Sequence, residues 1–267
     1  MKYYFYFKIY LHDLYHFSRL YIFEIIFKRF KRFKRFKRFK MLSDVFRGLR
    51  IEGYFILNKY YDESEIEIIN SLLPDIYSKY DNFVNDGELL ERVPGSVKVK
   101  HIENYFKLFK RYSADFFYLL VSFIFNGSFR RPSTLLSISH DGSLNSKFIP
   151  GKCTKNIGYE PHIDSPTHYL KILCGLSDVK LENGPTCIYA GTHRKTDFYS
   201  HFYNKYLAVG NLSGGVLSES DVATKCDSSK IKPLNLNKGD IAFIDTRCVH
   251  YAAVLKSGFR KIMWLYC

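Results

Sequence analysis

The sequence predicts a mainly β protein with flanking helices, a jelly roll preceded by N-terminal helices. Over about 63–80 and within 101–125 apolar residues return at three- and four-residue intervals, whereas afterwards short apolar runs alternate with turn-rich pieces. Helices first and many short strands later point to two packed β layers backed by helices. At 267 residues, with 46% hydrophobic and 18% aromatic residues, the chain can fill the core of one large β-rich domain, which excludes a disordered polymer.

Residues 1–27 are rich in Tyr, Phe and Ile but are interrupted by Lys8, His12, Asp13, His16, Arg19 and Glu24. A bilayer-spanning helix needs about 20 nearly uninterrupted apolar residues, so no transmembrane span is expected. From Lys28 the triplet Lys-Arg-Phe occurs four times and Lys40 follows, a period that suits neither helix nor strand. Residues 1–40 therefore read as an aromatic, basic, low-complexity extension without a fixed fold, and 41–267 as the folded domain. The extension holds 12 Lys/Arg against Asp13 and Glu24, so most of the formal charge of +14 belongs to it, and the remaining 28 basic and 24 acidic residues leave the domain only mildly basic. No specific nucleic-acid partner is expected. The extension would make at most a weak peripheral membrane contact.

After Met41 the elements follow in order. Gly53-Tyr-Phe-Ile-Leu57 reads as a strand. Asp62 and Glu65 form a capping box that opens a helix over about 63–80, with a kink at Pro74. A second helical stretch lies within 101–125. Strands are expected at 133–139, 168–176, 186–190, 241–245 and 261–266, separated by turns such as Glu182-Asn-Gly-Pro185, Gly214-Gly215 and Lys238-Gly-Asp240. The six cysteines (Cys153, Cys174, Cys187, Cys226, Cys248, Cys267) form no CxxC pair and follow no clear secretory signal, which suggests reduced thiols and a cytoplasmic setting.

Three residues of the second half carry the chemistry: His162, Asp164 and His250, with Arg260 further on. Residues i and i+2 of a strand project to one side, so His162 and Asp164 can chelate together while Ile163 faces away. Two imidazoles and a carboxylate suit Fe(II) with open positions. Lys238-Gly-Asp240, the run to Asp245, His250, the turn at Ser257-Gly258 and Arg260 then read as a closing hairpin that brings a guanidinium to the same mouth. A planar, always-charged arginine is the best single partner for the far carboxylate of a 2-oxo diacid. His168 and His193 are not needed as ligands. Asp245 is expected at a strand end and Trp264 in the core of the last strand.

The stretch Pro161–Arg194, with its His-x-Asp, Glu-Asn-Gly-Pro and Gly-Thr-His-Arg elements, resembles the phytanoyl-CoA dioxygenase family, and Lys238–Tyr266 resembles that family's closing hairpin. The resemblance spans roughly 45–266. It implies a double-stranded β-helix (jelly roll, cupin-like), with His162, Asp164 and His250 as iron ligands and Arg260 as the clamp for 2-oxoglutarate. It also implies a dioxygenase that uses Fe(II), 2-oxoglutarate and O2, with ascorbate as an auxiliary reductant. The product would be a hydroxylated small molecule or acyl compound, with succinate and CO2 released. Two positions depart from the family: Ala252 replaces a hydroxyl residue expected to assist the arginine, and Ala190 opens the Gly-Thr-His element. Ala252 and the extension keep a second reading open, an inactive jelly-roll scaffold whose basic arm contacts a membrane or nucleic acid. A zinc hydrolase on the same ligands would leave Arg260 without a task.

Overall fold

The computed structural model describes residues 2–30, 37–73, 89–93, 96–113, 115–127, 133–140, 160–210 and 215–267. The kink expected at Pro74, Cys153 and Gly214 lie outside them.

Residues 2–30 correct the sequence reading. They form a helix, α1 (Lys2–Phe30), rather than part of an extension without structure, and α2 (Lys37–Ile51) runs across Met41, where the domain was expected to begin. The buried stripe of α1 is Ile9, Asp13, His16, Leu20 and Phe27, at helical spacing. Two of these five are polar, while the outward face is aromatic and aliphatic. Polar-out, apolar-in patterning is thus absent, which is why periodicity did not reveal the helix. Phe27 stacks on Phe46 of α2 with ring centroids 5.9 Å apart, and Arg50 pairs with Glu24 at 2.8 Å.

The expected first strand and helix are β1 (Tyr54–Leu57) and α3 (Glu63–Ser71). The capping box is present: Asp62 accepts from Glu65 N at 2.9 Å, and Asp62 N donates to the Glu65 carboxylate at 3.3 Å. The helical stretch within 101–125 resolves into a 3-10 turn (Ile102–Asn104), α4 (Lys107–Ser113) and α5 (Phe116–Asn126). Asp115 breaks it by capping α5, accepting from Phe117 N at 2.8 Å.

The remaining strands are β2 (Leu89–Val93), β3 (Ser96–Lys100), β4 (Ser133–His140), β5 (His162–Ile163), β6 (Leu170–Gly175), β7 (Thr186–Tyr189), β8 (Gly215–Val216), β9 (Ile231–Pro233), β10 (Ile241–Asp245), β11 (His250–Ala252) and β12 (Phe259–Tyr266), with α6 (Tyr199–Val209) and α7 (Glu219–Lys225) between β7 and β9. They make a seven-stranded sheet in the order β1-β10-β6-β12-β4-β3-β2 and a five-stranded sheet in the order β8-β5-β11-β7-β9, with all pairings antiparallel. This is the jelly roll that the alternation of short strands predicted.

Three apolar clusters follow from the alternation of side chains along the strands. Ile172, Cys174, Phe243, Met263 and Leu265 face the helices, packing with Phe46, Tyr118 and Phe125. Leu173, Ala242, Ile244 and Ile262 face inward against Ile188 of the small sheet and Leu234 just beyond β9. Ile163 and Val249, flanking the predicted ligands, face outward under α1 and α6 with Ile9, Phe198 and Phe202.

Gly53 joins the first layer to the site. Its carbonyl accepts from Asp245 N at 2.8 Å, and its φ is +80°, a conformation that side chains resist. A Cβ there would fall 2.1 Å from Cys248 Sγ and 2.7 Å from His193 Nδ1. Gly53→Ala is expected to cost about 3 kcal/mol or more through backbone strain and overpacking, read as a lowered denaturant midpoint. An unchanged midpoint would contradict this packing.

Candidate metal centre

His162 and His250 occupy directly opposed positions on the adjacent strands β5 and β11. Their ring centroids lie 4.3 Å apart. Asp164, two residues beyond His162, turns to the same side, and its amide is held by the Thr246 carbonyl at 3.2 Å. Asp164 Oδ1 is 3.5 Å from His162 Nε2 and 3.7 Å from His250 Nε2, and one donor atom from each residue falls within 4.8 Å of the others.

Each imidazole is fixed by a carbonyl two residues ahead of it. His162 Nδ1 lies 2.7 Å from the Glu160 carbonyl and His250 Nδ1 lies 2.8 Å from the Cys248 carbonyl. A carbonyl only accepts, so each Nδ1 carries the proton and each Nε2 keeps a lone pair aimed at the shared point. The buried Nε2 of His250 has no hydrogen-bond partner. Burial pushes the His250 pKa down to about 4, with the Lys171 and His162 charges acting in the same direction against Asp164, so the ring is neutral at physiological pH. Burial would raise the Asp164 pKa, but His250 and Lys171 outweigh it and hold the carboxyl well below the usual carboxylate range. Two lone pairs and an anion converging on one point are a fitting donor set for a divalent transition metal.

Sequence reasoning missed Lys171. It sits on β6, buried, with Nζ 2.5 Å from Asp164 Oδ2 and over the rings of Trp264 (5.5 Å) and Tyr266 (5.1 Å). Burial alone would lower its pKa, yet Asp164 raises it. The available signal was a lysine inside an otherwise apolar strand, Leu-Lys-Ile-Leu-Cys-Gly. Asp164, Thr167, Tyr169, Lys171, Thr246 and Tyr266 line a cavity of about 660 Å³ beside the triad. A larger depression of about 1040 Å³, over Lys59, Glu67, Lys238 and Lys261, contains none of these residues.

Arg260, on β12, is buried and shares the inward face with Ile262 and Trp264. Its guanidinium donates to the carbonyl of Gly184, in the Glu182–Pro185 turn.

Behind the triad lies a second buried polar group. Asp245 ends β10, as expected, but its carboxylate is buried on the helix side of the sheet against His168 Nδ1 at 2.5 Å. His168 also faces Asp13 of α1 at 3.3 Å, and Asp13 takes hydrogen bonds from Arg247 and, at 2.5 Å, from Tyr199. His16 stacks on His168 with centroids 3.9 Å apart and planes 2° apart. His16, His168 and Asp245 are close enough to share an ion. The two imidazole planes are parallel and offset, however, so no single point lies in both, and Arg247 already supplies positive charge. We read this group as a lock between α1 and the barrel. His168 and His193 thus stand apart from the triad and are buried within the structure.

The Phytanoyl-CoA dioxygenase (PhyH) family profile matches residues 134–263. Among curated proteins none matches the chain. Solved structures with the same fold include EctD from S. alaskensis with bound Fe, at 13% identity and TM-score 0.58 over 82% of this chain and 74% of that one. The epimerase SnoN in complex with Fe3+, alpha ketoglutarate and nogalamycin RO is similar at 14% identity and TM-score 0.54, over 85% and 83%. HygX from Streptomyces hygroscopicus, with nickel, 2-oxoglutarate and hygromycin B bound, is similar at 14% identity and TM-score 0.51, over 84% and 85%.

Proposed function

We infer that this chain, whose residues 134–263 match the phytanoyl-CoA dioxygenase family profile, is a non-haem Fe(II)- and 2-oxoglutarate-dependent oxygenase that hydroxylates a small-molecule or acyl substrate. The observation that carries the site assignment is the convergence of the His162 and His250 Nε2 lone pairs with the Asp164 carboxylate within 4.8 Å. His162, Asp164 and His250 are assigned as the iron ligands, and Arg260 as the partner of the far carboxylate of 2-oxoglutarate. When bound there, iron with 2-oxoglutarate and O2 would supply the oxidising chemistry, with succinate and CO2 as the co-products.

The chain's own residues supply orientation and charge. The Glu160 and Cys248 carbonyls keep both rings in the tautomer that offers Nε2. Asp164 contributes the negative charge that favours a divalent ion over a proton at the same point. Because a carboxylate occupies that position, it is closed to a halide, which favours hydroxylation over halogenation. Lys171 pairs with Asp164 Oδ2 and so holds the carboxylate with Oδ1 toward the two imidazoles.

Anaerobic titration with Fe(II) and 2-oxoglutarate tests the reading. The weak visible charge-transfer band of the chelate is expected with the wild-type chain, and its absence would sink the proposal. Arg260→Ala is expected to keep iron binding and raise the KM for 2-oxoglutarate roughly 10- to 100-fold, the value of one charge-assisted hydrogen-bonded pair. An unchanged KM would remove Arg260 from the site.

A further inference from the structure

Eleven of the nineteen exposed large apolar side chains among the described residues sit on the single helix α1. They are not scattered. Phe7, Leu11, Leu14, Ile22 and Ile25 recur at helical spacing along the side opposite the buried stripe, with Tyr3 (86% exposed) and Tyr15 (66% exposed) beside them. A helix apolar on both sides normally has both sides covered, and a continuous exposed apolar patch marks a partner surface. Here one side is covered by the domain and the other is open.

Charge identifies the occupant. The only acids of α1 are Asp13, buried against Arg247, and Glu24, paired with Arg50. The charged side chains that α1 exposes, Lys2, Lys8, Lys28 and Arg29, are all cationic, and the Lys-Arg-Phe repeats continue directly in sequence. A greasy, tyrosine-rich face with cations and no free acid suits the headgroup region of an anionic bilayer, where tyrosine rings sit with one end apolar and one end wet. No helix among the described residues is long and apolar enough to cross a membrane. At 29 residues α1 is about 43 Å long and is held lengthwise to the domain, so it would lie in the plane of the interface.

We propose that the outer face of α1 docks the protein on the surface of a bilayer containing anionic lipid. The docked helix and the cavity share one loop: Thr167 and Tyr169 line the cavity, and His168 between them stacks on His16 of α1. The mouth of that cavity is therefore tied to the docked helix by direct packing. This inference stands independently of the oxygenase reading.

Sedimentation of the full chain with phosphatidylcholine vesicles, with and without phosphatidylserine, tests it. The protein is expected to pellet with the anionic vesicles and to be released by salt. Phe7→Glu combined with Leu14→Glu, and separately Tyr3→Ser with Tyr4→Ser, should leave the helical circular dichroism and the thermal midpoint intact while lowering the bound fraction. Lys2→Glu with Lys8→Glu should lower partitioning at least about tenfold. Wild-type protein that stays in the supernatant, or folded outer-face variants that pellet as well as wild type, would overturn the proposal. So would a concentration-dependent dimer that forms without vesicle binding and that the Glu variants dissolve, which would assign the face to a second copy.

Discussion

Asp164→Ala is expected to lower turnover by at least about a hundredfold and to erase the Fe(II)–2-oxoglutarate band. Partners that merely orient a metal ligand are worth 10–100-fold, and Asp164 is assigned as a ligand itself. The substitution removes the only anion of the triad and leaves the buried Lys171 ammonium without the carboxylate it meets at 2.5 Å. Repulsion between that ammonium and an incoming divalent ion would then add to the loss. Asp164→Ala paired with Lys171→Met separates the two effects. If the band stays absent in the double variant, the loss belongs to the missing carboxylate. If it returns, Lys171 repulsion was the cause and Asp164 is dispensable as a ligand. A single variant that keeps full band intensity would refute the assignment outright.

Asp13→Ala should produce the largest stability loss of any single change on α1, about 3–5 kcal/mol, because it strips the partner from the buried Arg247 guanidinium. For a chain of this size that corresponds to a fall in Tm of roughly 10 °C. The direction of the pH dependence follows from the same cluster. Burial, with the charges of His168, Arg19, His193 and His12, lowers the His16 pKa, and burial takes His193 down to about 4. Both stay neutral in the fold while the unfolded chain gains a proton below the ordinary imidazole value of about 6.5. Their contribution is complete above that value and is lost as pH falls toward 4, at roughly 1.4 kcal/mol per pH unit for each ring. Burial raises the pKa of Asp13 and Asp245, but His168 and Arg247 for Asp13, and His168, His193 and the Arg247 amide for Asp245, win and lower both. Their contribution is present above about 3.9 and is lost only in stronger acid. Denaturation midpoints across this range should therefore fall in two stages for wild type, and His16→Phe should flatten the first. A midpoint constant from pH 7 to 4 would refute the neutral burial of these rings.

The jelly roll and the convergence of His162, Asp164 and His250 were legible in the sequence because both obey local rules. Strand alternation puts residues i and i+2 on one side, so His162 and Asp164 declare their shared direction, and the turn residues at Lys238-Gly-Asp240 and Ser257-Gly258 fix the hairpin that carries Arg260. What stayed hidden depends on distant partners. Asp13 and His16 look like interruptions of an apolar segment until Arg247 and His168, more than 150 positions away, meet them. The aromatic outer face of α1 looks like a core stripe, which inverts the amphipathic signal. Lys171 becomes meaningful only when β6 lies beside the strand end that carries Asp164. The Asp245 carboxylate, similarly, reads as a strand terminus until His168 folds over it.

The opposed placement of His162 and His250 bears on how the small sheet chooses its alignment. A strand that slips by one residue turns every side chain to the other face, and β5 contributes only two residues to its ladder, too few to resist slippage by main-chain bonds alone. A slip would send His162 toward the apolar cluster under α1 and break the donor set. A cation shared between the strands would therefore act as a registration pin, rewarding the single alignment in which both rings face each other, and metal loading should narrow the ensemble of this sheet as well as equip it for chemistry.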